Sequence, residues 1–381
     1  MLQDFLNAKP LFYDTIDYTR MPKVYGRIKE QLASLKIIHI IGTNGKGTTG
    51  RFLASALNSQ DFSVGHYTSP HILKFNERIW FNGNDIDDEA LEQAHIKLQN
   101  ILKEEESQAL SYFEYTTFLA MIIFAECDYV VMEAGLGGEH DATAVFAKVL
   151  TLVTPIAIDH EAFLGETIQA IATTKLNAVN KRAILAKQSF LGVYDVAETL
   201  VKNKHLVIDR VDDVITLKDR ELIVKISKDL ALPLYLQENL KLAIAGLKSL
   251  ELEYRQEHFL NSRLFGRVTT LRDNIIIDVG HNTLAATSLL RSLEGKKYVL
   301  IYNSYKDKDY KKILAILKPI IKRVEIIPIE SQRGVLIEKL QTTLNELKVQ
   351  WSIYKRVEPT QDYLVFGSFS VVEAFLKEFH G

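Results

Sequence analysis

A glycine-rich loop between a predicted strand and a predicted helix is the strongest chemical signal in the sequence. The loop reads Gly42-Thr43-Asn44-Gly45-Lys46-Gly47-Thr48-Thr49, follows the apolar run 36–41 and precedes residues 49–57, whose apolar side chains recur at helical spacing. Glycines let backbone N–H groups surround phosphate oxygens, and the helix N-terminus adds a favourable dipole. Lys46 would neutralise the β- and γ-phosphates, and Thr48 would offer its hydroxyl to Mg²⁺.

The loop departs from the common pattern G-x-x-x-x-G-K-[S/T], because Gly47 separates Lys46 from Thr48. A glycine-rich turn that only connects a strand to a helix is the alternative interpretation. The strand, the lysine, the hydroxyls and the helix occur together, and this combination favours phosphate binding.

Glu133 is a second candidate, because it follows the predicted strand over residues 129–132. Ligands of open α/β sheets bind at the C-terminal ends of the parallel strands. A hard carboxylate at such a position suits Mg²⁺. A solvated turn carboxylate is the alternative, but the glycines that follow Glu133 favour a metal ligand.

Composition narrows the class of protein. The 381 residues suit two domains, and 46 Lys and Arg against 48 Asp and Glu leave no charge excess to attract nucleic acid or membrane. The single cysteine, Cys127, excludes an internal disulfide and a multi-thiolate zinc site, and it favours a reducing compartment. The start lacks a secretory signal, and the apolar run 118–125 is shorter than the roughly 20 residues needed to cross a bilayer. We therefore expect a cytoplasmic protein.

Alternating strands and helices predict a parallel sheet covered on both faces. In the first part of the chain a helix over 114–125 leads to the strand over 129–132, and a strand over 149–153 follows. The alternation restarts near residue 274. We predict an α/β fold of two domains, residues 1–260 with the phosphate loop and residues 261–381 as a smaller, Rossmann-like domain.

The middle of the chain has a less regular pattern. Residues 183–226 contain the short β-type runs HLVI, VITL and ELIVKI, with charged turns between them. A helix is predicted over residues 237–250. The sequence therefore predicts short strands before this helix.

The loop resembles that of the ATP-dependent amide ligases of the Mur ligase superfamily, in particular the folylpolyglutamate synthase/dihydrofolate synthase branch. Other segments resemble this branch in its own order: YTSPH and FNERI (67–79), EAGLGG and DAT (133–143), IDH (158–160), DVGHN (278–282), KDKD (306–309) and GS (367–368). The resemblance spans nearly the whole chain. It implies an ATP-binding domain with a P-loop, a parallel sheet and the pterin site over 1–260, and a Rossmann-like glutamate-ligase domain over 261–381.

The implied reaction is the ligation of L-glutamate to dihydropteroate, to reduced folates, or to both. The γ-phosphoryl group of ATP would pass to the acceptor carboxylate, and the α-amino group of glutamate would attack the acyl phosphate. ATP and two Mg²⁺ would be required. The expected partners are these small molecules, and we expect a monomer. The two acceptors differ by one glutamate, so residue spacing leaves the choice between them open.

The resemblance also implies a set of metal ligands. They are Thr48, Ser69, Glu133, His160 and Lys175. The lysine of the branch is carbamylated by CO₂, which requires a neutral amine and therefore a lowered pKa at Lys175. The surrounding TTKLNAV lacks the glycine of the familiar EKAGI. Without the resemblance, Ser69 would be a turn residue, His160 a core or surface histidine and Lys175 a solvated helix lysine. The predicted catalytic residues are Lys46, His160, Lys175 and Arg267.

Four residues outside the loop are implied to contact the nucleotide. Arg267 and His281 match phosphate-side residues, Asp278 a ribose contact and Asn239 an adenine-side residue. Without the resemblance, Asn239 would be a surface amide, and Asp278 and His281 would belong to a strand-end turn.

For the pterin acceptor, the resemblance implies Ser111, Phe113 and Ala142. The Phe113 ring could stack on a flat pterin, although a core aromatic ahead of a helix is an equal alternative. Glu139 and His140 replace the Arg-Leu of the branch, which removes a positive charge near the predicted metals.

Two alternative functions stay open at this point. A peptidoglycan-type Mur ligase would share the loop and the metal ligands, although the SPH and FNERI segments disfavour it. A nucleotide-dependent binding module would use ATP without ligation, and the candidate metal ligands disfavour that function.

Overall fold

The computed structural model describes residues 1–10 and 17–380, and the chain divides into two compact units. The first comprises Met1–Leu230 and Glu238–Arg263, and the second comprises Ala231–Gln237 and Leu264–Gly381. The second unit thus includes a short segment that the predicted domain limits leave in the first domain.

The first unit is built on an eight-stranded sheet with the order β4-β3-β2-β5-β1-β6-β7-β8. Its strands are β1 (Lys36–Ile41), β2 (Val64–Tyr67), β3 (Ile79–Phe81), β4 (Asn84–Asp85), β5 (Tyr129–Glu133), β6 (Leu150–Val153), β7 (Arg182–Leu185) and β8 (Val207–Arg210). In this spatial order, neighbouring strands from β2 through β5, β1, β6 and β7 to β8 pair in parallel. The β2–β3 and β3–β4 pairs are antiparallel. The C-terminal ends of β5, β1 and β6 therefore meet at one edge of the sheet.

Helices and two apolar clusters complete this unit. The helices are α1 (Leu2–Asn7), α2 (Arg20–Ile28), α3 (Lys46–Asn58), α4 (Asp88–Ile101), α5 (Glu104–Ala109), α6 (Tyr112–Ile123), α7 (Glu161–Leu164), α8 (Ile168–Leu176), α9 (Leu191–Lys204), α10 (Val211–Val214), α11 (Leu217–Asp229) and α12 (Leu234–Ser249). The first turn of α12, as far as Gln237, belongs to the second unit. One cluster includes Phe118 and Val130, and the other includes Val153 and Ile171. Within residues 1–10 and 17–380, no helix has the length and apolar character that a membrane span requires.

The second unit has a six-stranded sheet with the order β13-β12-β11-β14-β10-β9. Its elements are β9 (Thr269–Arg272), β10 (Ile275–Asp278), α13 (Thr283–Ser292), β11 (Tyr298–Tyr302), α14 (Tyr310–Leu317), β12 (Ile321–Ile326), α15 (Ile337–Glu346), β13 (Trp351–Ile353), β14 (Tyr363–Phe366) and α16 (Phe369–His380). Only the β9–β10 pair is antiparallel among these strands. The predicted α/β fold class with two parallel-rich sheets is confirmed.

Two of the predicted short strands are wrong. VITL joins the end of α10 to the start of α11, and ELIVKI lies inside α11, whereas HLVI overlaps β8. The β-branched residues favour a strand locally, but Thr216 and Asp219 form a reciprocal cap at the start of α11. This cap satisfies backbone N–H groups that a strand would need to pair elsewhere, and the helix forms.

The single cysteine, Cys127, is buried. Burial raises the pKa of its thiol to about 12, although a hydrogen bond with Ser63 acts in the opposite direction. The thiol is therefore protonated at neutral pH, and a protonated thiol is a poor nucleophile.

Candidate active site

The glycine-rich loop connects β1 to α3, which begins at Lys46. Gly42 and Gly45 have φ values of 137° and 90°, which glycine adopts without strain. A Cβ at Gly42 would lie 2.0 Å from Thr154 Oγ1, and a Cβ at Gly45 would lie 2.4 Å from Asn239 Oδ1. The loop is therefore packed tightly between the residue that follows β6 and a side chain of α12.

The segment after β6 holds the first half of the loop. Pro155 O accepts hydrogen bonds from Thr43 N at 3.0 Å and from Asn44 N at 3.3 Å. Thr43 Oγ1 donates to Ala157 O at 3.2 Å and accepts from Ala157 N at 3.0 Å. Two loop N–H groups are thus satisfied by protein. The first N–H groups of a helix lack intrahelical partners, so those of α3 are the donors suited to a phosphate.

Lys46, which is partly buried, and Glu133, which is buried, form an ion pair beside this loop. Lys46 Nζ lies 3.6 Å from Glu133 Oε1 and donates to Thr43 O at 3.4 Å. Glu133 is the last residue of β5, and its Oε2 accepts hydrogen bonds from Thr68 Oγ1 and, at 3.3 Å, from Ser69 N. One carboxylate therefore connects the loop after β2 to the glycine-rich loop.

Three buried polar groups at the loop have no hydrogen-bond partner within the described part of the chain: Thr48 Oγ1, Thr49 Oγ1 and Asn239 Nδ2. Such groups cost free energy, and a ligand would satisfy them. The described residues contain no cluster of three or more His, Cys, Asp or Glu side chains that could hold a metal. The Thr48 hydroxyl and the Glu133 carboxylate are nevertheless the hard oxygen ligands that Mg²⁺ prefers, so these residues fit that ion.

Lys175 is buried in α8, and its Nζ donates to Gly42 O at 3.1 Å. Burial, together with the nearby charge of Lys46, lowers the pKa of this amine to about 7, although carboxylates including Asp159 act in the opposite direction. A Cβ at Gly138 would lie 2.5 Å from Lys175 O, so the glycine allows the turn after β5 to approach α8. A substantial fraction of the amine is neutral at pH 7, as carbamylation would require.

His160 precedes α7 with a left-handed backbone φ of 55°. Its N–H donates to Asp159 Oδ1 at 2.9 Å. Asp159 is buried and close enough to Lys175 to influence the pKa of that amine. His160 therefore lies in the same strand-end region as Lys175.

The two residues that depart from the family pattern are partly exposed. Glu139 accepts a hydrogen bond from Asn177 Nδ2 at 2.7 Å, so its carboxylate is bound at the C-terminal end of α8. The His140 ring lies with its centroid 4.5 Å from that of Tyr18. Both side chains thus have structural contacts that the sequence did not indicate.

Phe113 lies against the turn that follows β5. A Cβ at Gly135 would be 2.7 Å from Phe113 Cζ, and the Phe113 and Tyr67 rings stack with centroids 5.7 Å apart. The ring is partly buried. A flat aromatic surface is therefore present beside the strand end that carries Glu133.

Ser111 is the N-cap of α6. Its Oγ accepts from Glu114 N at 3.2 Å, and Glu114 Oε2 accepts from Ser111 N and from Arg20 Nε, both at 2.7 Å. This reciprocal arrangement is a capping box, which stabilises the first turn of the helix. The hydroxyl has a structural role, and its predicted substrate contact stays a prediction.

Asp141 is a buried group that the sequence analysis did not select as a site residue. It accepts hydrogen bonds from Thr143 Oγ1 at 2.5 Å and from Leu136 N at 2.8 Å, and Thr143 Oγ1 lies 2.8 Å from His39 Nε2. Burial raises the pKa of Asp141, while the Thr143 hydroxyl lowers it. Ala142, which is predicted to contact the pterin substrate, follows Asp141 in the chain and is also buried. The DAT motif was the available signal for this network.

In the second unit, Asp278 ends β10 and is buried. Its Oδ2 accepts from Tyr235 Oη at 2.9 Å and Val268 N at 3.1 Å, and its Oδ1 accepts from Gly280 N at 2.7 Å. Burial raises the pKa of Asp278, and the charge of Arg267 acts against this shift. The carboxylate therefore organises the turn before β9 and the turn after β10, which lie at the same end of this antiparallel pair.

The other two predicted nucleotide residues of this unit lie in the same turns. The Arg267 guanidinium lies 5.1 Å from the Phe369 ring centroid and donates to Gly266 O at 3.1 Å. His281 Nδ1 is 3.3 Å from Val279 O. Their predicted contacts with phosphate stay predictions.

Within the first unit, the structure brings Lys46, Glu133 and Lys175 to one loop. A P-loop followed by a helix, a strand-end carboxylate and a buried amine define a class: a P-loop α/β protein with a site suited to a phosphorylated ligand and Mg²⁺. Sequence and structure comparisons identify the family within this class.

The chain is 30% identical over 412 residues to dihydrofolate synthase/folylpolyglutamate synthase of Haemophilus influenzae, with 92% of each chain covered. It is similar to the crystal structure of Helicobacter pylori folylpolyglutamate synthetase, with 38% identity, a TM-score of 0.79 and coverage of 100% and 98%. Escherichia coli FolC in complex with DHPP and ADP gives 26% identity, a TM-score of 0.83 and coverage of 100% and 97%. No protein-family model matches the chain.

The chain therefore belongs to the dihydrofolate synthase/folylpolyglutamate synthase family. It is an ATP-dependent ligase that adds glutamate to folate-type acceptors. The alternatives of a binding module without catalysis and of a peptidoglycan ligase are accordingly set aside.

Proposed function

We propose that the chain ligates L-glutamate both to dihydropteroate and to reduced folates, with dihydropteroate as the preferred acceptor. The observation that carries the proposal is the Lys46–Glu133 ion pair at the loop that also holds the buried Thr48 hydroxyl. This arrangement supplies a cation for phosphate and oxygen ligands for a metal at a single loop. Relatives named dihydrofolate synthase/folylpolyglutamate synthase support the two acceptors, and the complex of Escherichia coli FolC with DHPP and ADP supports a nucleotide as a ligand.

In the proposed reaction, the first N–H groups of α3 and the Lys46 ammonium bind the β- and γ-phosphates of ATP. An oxygen of the acceptor carboxylate attacks the γ-phosphorus, and ADP leaves. The α-amino nitrogen of glutamate then attacks the acyl carbon of the acyl phosphate. Inorganic phosphate leaves with the bonding electron pair, and the nitrogen loses a proton. Holding three substrates in line can supply about 7–11 kcal/mol of the barrier.

We propose two Mg²⁺ ions at this site. When bound, they would neutralise phosphate charge during transfer. The proposed ligands are Thr48, Ser69, Glu133, His160 and a carbamylated Lys175. The lowered pKa of Lys175 supports carbamylation, because the neutral amine is the form that reacts with CO₂.

The acceptor pocket is proposed around Phe113, whose ring would stack on the pterin, with Ala142 and Ser111 as neighbours. Asn239 is proposed at the adenine because its Nδ2 is buried without a partner in the described chain. Arg267, Asp278 and His281 are proposed as further nucleotide contacts. We propose that the enzyme acts as a monomer in the cytoplasm.

Phosphate release from MgATP tests this function. The purified protein is assayed with glutamate and dihydropteroate together, with each omitted in turn, and with dihydrofolate as the acceptor. Release that needs both glutamate and an acceptor is the expected result, with faster release for dihydropteroate. Release from ATP alone, unchanged by either substrate, would contradict the proposal.

A further inference from the structure

The phosphate loop rests on a segment that is itself held by a side chain outside the family motifs. The segment is Thr154 to Ala157, which follows β6 and whose Pro155 carbonyl binds Thr43 N and Asn44 N. The side chain is that of Gln188, which follows β7 and is buried. Strands β6 and β7 are paired in parallel as far as Val153 and Leu185, so Gln188 lies just beyond the end of their ladder.

Gln188 uses both ends of its amide to join the two strand ends. Its Oε1 accepts from Ile156 N at 2.8 Å. Its Nε2 donates to Ala186 O at 2.8 Å and lies 3.5 Å from Thr154 O. Its own backbone N–H donates to Tyr194 Oη at 2.8 Å, which fixes the start of the side chain. The amide thus continues the hydrogen bonding of the sheet where the two backbones diverge.

The residue between the two groups that Gln188 contacts is Pro155. Proline has no N–H, so Pro155 can form backbone hydrogen bonds only through its carbonyl, and the backbone on either side of it can be held at Thr154 O and Ile156 N. Gln188 contacts both of these groups, and the Pro155 carbonyl between them points at the N–H groups of Thr43 and Asn44. The orientation of this carbonyl therefore depends on the Gln188 amide.

We infer that Gln188 is a positioning residue for the phosphate loop: it fixes the backbone of Thr154 to Ile156, so that Pro155 O holds Thr43 and Asn44 in the conformation that binds nucleotide. The inference rests on the proposed binding of ATP at this loop. A purely structural amide at the edge of the sheet would support the stability of the fold and leave nucleotide affinity unchanged.

The first test is equilibrium binding of ADP by calorimetry, comparing wild type with Gln188→Met, which keeps the volume and removes both amide groups. We expect about tenfold weaker ADP binding, because two or three hydrogen bonds that orient the loop are lost. Hydrogen exchange should show faster exchange at the amides of Thr43 and Asn44. Wild-type ADP affinity together with wild-type exchange at these two amides would overturn the inference.

Gln99→Met is the matched control. Gln99 Nε2 donates to Ser107 Oγ and Tyr115 Oη, both at 2.8 Å, and Gln99 Oε1 accepts from Ser107 Oγ at 3.0 Å. This variant loses a similar number of hydrogen bonds on α4, so a comparable loss of stability is expected with unchanged ADP affinity. If Gln99→Met weakens ADP binding as much as Gln188→Met does, the effect is general destabilisation and the inference fails.

Should Gln188→Met not fold, Gln188→Asn replaces it. Its side chain is one methylene shorter, so its amide cannot contact Ile156 N and Ala186 O together. Undiminished ADP affinity of this variant would also overturn the inference.

If wild type itself does not bind ADP, the proposed nucleotide site fails, whatever the variants do. If wild type binds ADP and the Gln188 variants bind it equally well, only the positioning inference fails.

Discussion

Glu133 and Asp278 are both buried carboxylates at the C-terminal end of a strand with a parallel neighbour, one in each unit. Their hydrogen bonds differ. Asp278 has both oxygens bound by two backbone N–H groups and a tyrosine hydroxyl. Glu133 has one oxygen bound by Thr68 and Ser69, while its other oxygen faces the Lys46 ammonium at 3.6 Å.

The partner type decides what each carboxylate can do. A backbone N–H is fixed by the chain, so a ligand that replaced it would disrupt a turn. A lysine side chain has several rotatable bonds and can move to a phosphate, which frees the carboxylate oxygen. In the first unit this position can therefore release a carboxylate oxygen to a metal. In the second unit the carboxylate keeps its turn contacts and would meet the proposed nucleotide only through the lone pairs that these contacts leave.

The sharpest test of this contrast is Glu133→Gln. The amide keeps an acceptor for Thr68 and Ser69 but removes the charge that would bind metal. We expect the glutamate- and acceptor-dependent rate of phosphate release to fall by about 10²- to 10³-fold. The thermal unfolding midpoint should change little. A rate within a few-fold of wild type would show that the reaction does not need the charge of Glu133.

Asp278→Ala should instead lower the stability of the fold. The substitution leaves Tyr235 Oη, Val268 N and Gly280 N without their acceptor, and we expect a loss of about 2–4 kcal/mol in the free energy of unfolding. Calorimetric unfolding measures this loss, with Glu133→Gln as the control. Asp278→Asn keeps one acceptor oxygen and should lose less. A stable Asp278→Ala protein would show that the turns hold without the carboxylate.

Lys175 extends the comparison to a buried cation. Burial lowers its pKa from 10.5 to about 7. Between pH 7 and pH 10.5 the Lys175 amine is protonated in the unfolded chain and mostly neutral in the folded protein. The free energy of unfolding therefore rises with pH in this range. The cost of the buried charge is fully present below about pH 7 and disappears towards pH 10.5.

Urea unfolding of wild type and Lys175→Met in CO₂-free buffer measures this dependence. We expect wild type to gain stability relative to the variant by up to about 1.4 kcal/mol per pH unit above pH 7. Parallel pH profiles for the two proteins would show that the amine has an ordinary pKa.

Ser111→Ala gives the smallest expected effect. Ser111 lies in the first unit, but its hydroxyl accepts a hydrogen bond from a backbone N–H, as the Asp278 carboxylate does in the second unit. Loss of the cap should lower the free energy of unfolding by about 1 kcal/mol. The KM for dihydropteroate should rise no more than a few-fold, because Ser111 borders the proposed pocket while its hydroxyl is bound to Glu114 N. A large rise in this KM with unchanged stability would instead show that the hydroxyl contacts the acceptor directly.

The sequence predicted the parts of the fold in which local signals agree. Strand β1 has the predicted bounds, and the glycine-rich loop lies between it and α3. Here an apolar run, two glycines with positive φ and a helical apolar spacing all indicate the same structure. The position of Glu133 at the end of a strand is also confirmed, while its role as a metal ligand stays a prediction.

The remaining features depend on contacts between distant residues. The α11 helix was missed because the cap formed by Thr216 and Asp219 outweighs the strand preference of β-branched residues. The contact of Lys175 with Gly42 joins residues far apart in the chain. No local pattern indicates that Gln188 would meet Ile156. Such pairings are defined only when the sheet has formed.

The burial of Cys127 has a practical consequence for measuring motion. Maleimide reagents need a thiolate, and this thiol, with its pKa raised to about 12, will not supply one at neutral pH. It is also the only cysteine in the sequence. Cysteines introduced at exposed positions, such as Ile96 in the first unit and Leu336 in the second, can therefore carry a fluorophore pair without altering the native residue. Energy transfer between them would report the distance between the units with and without nucleotide.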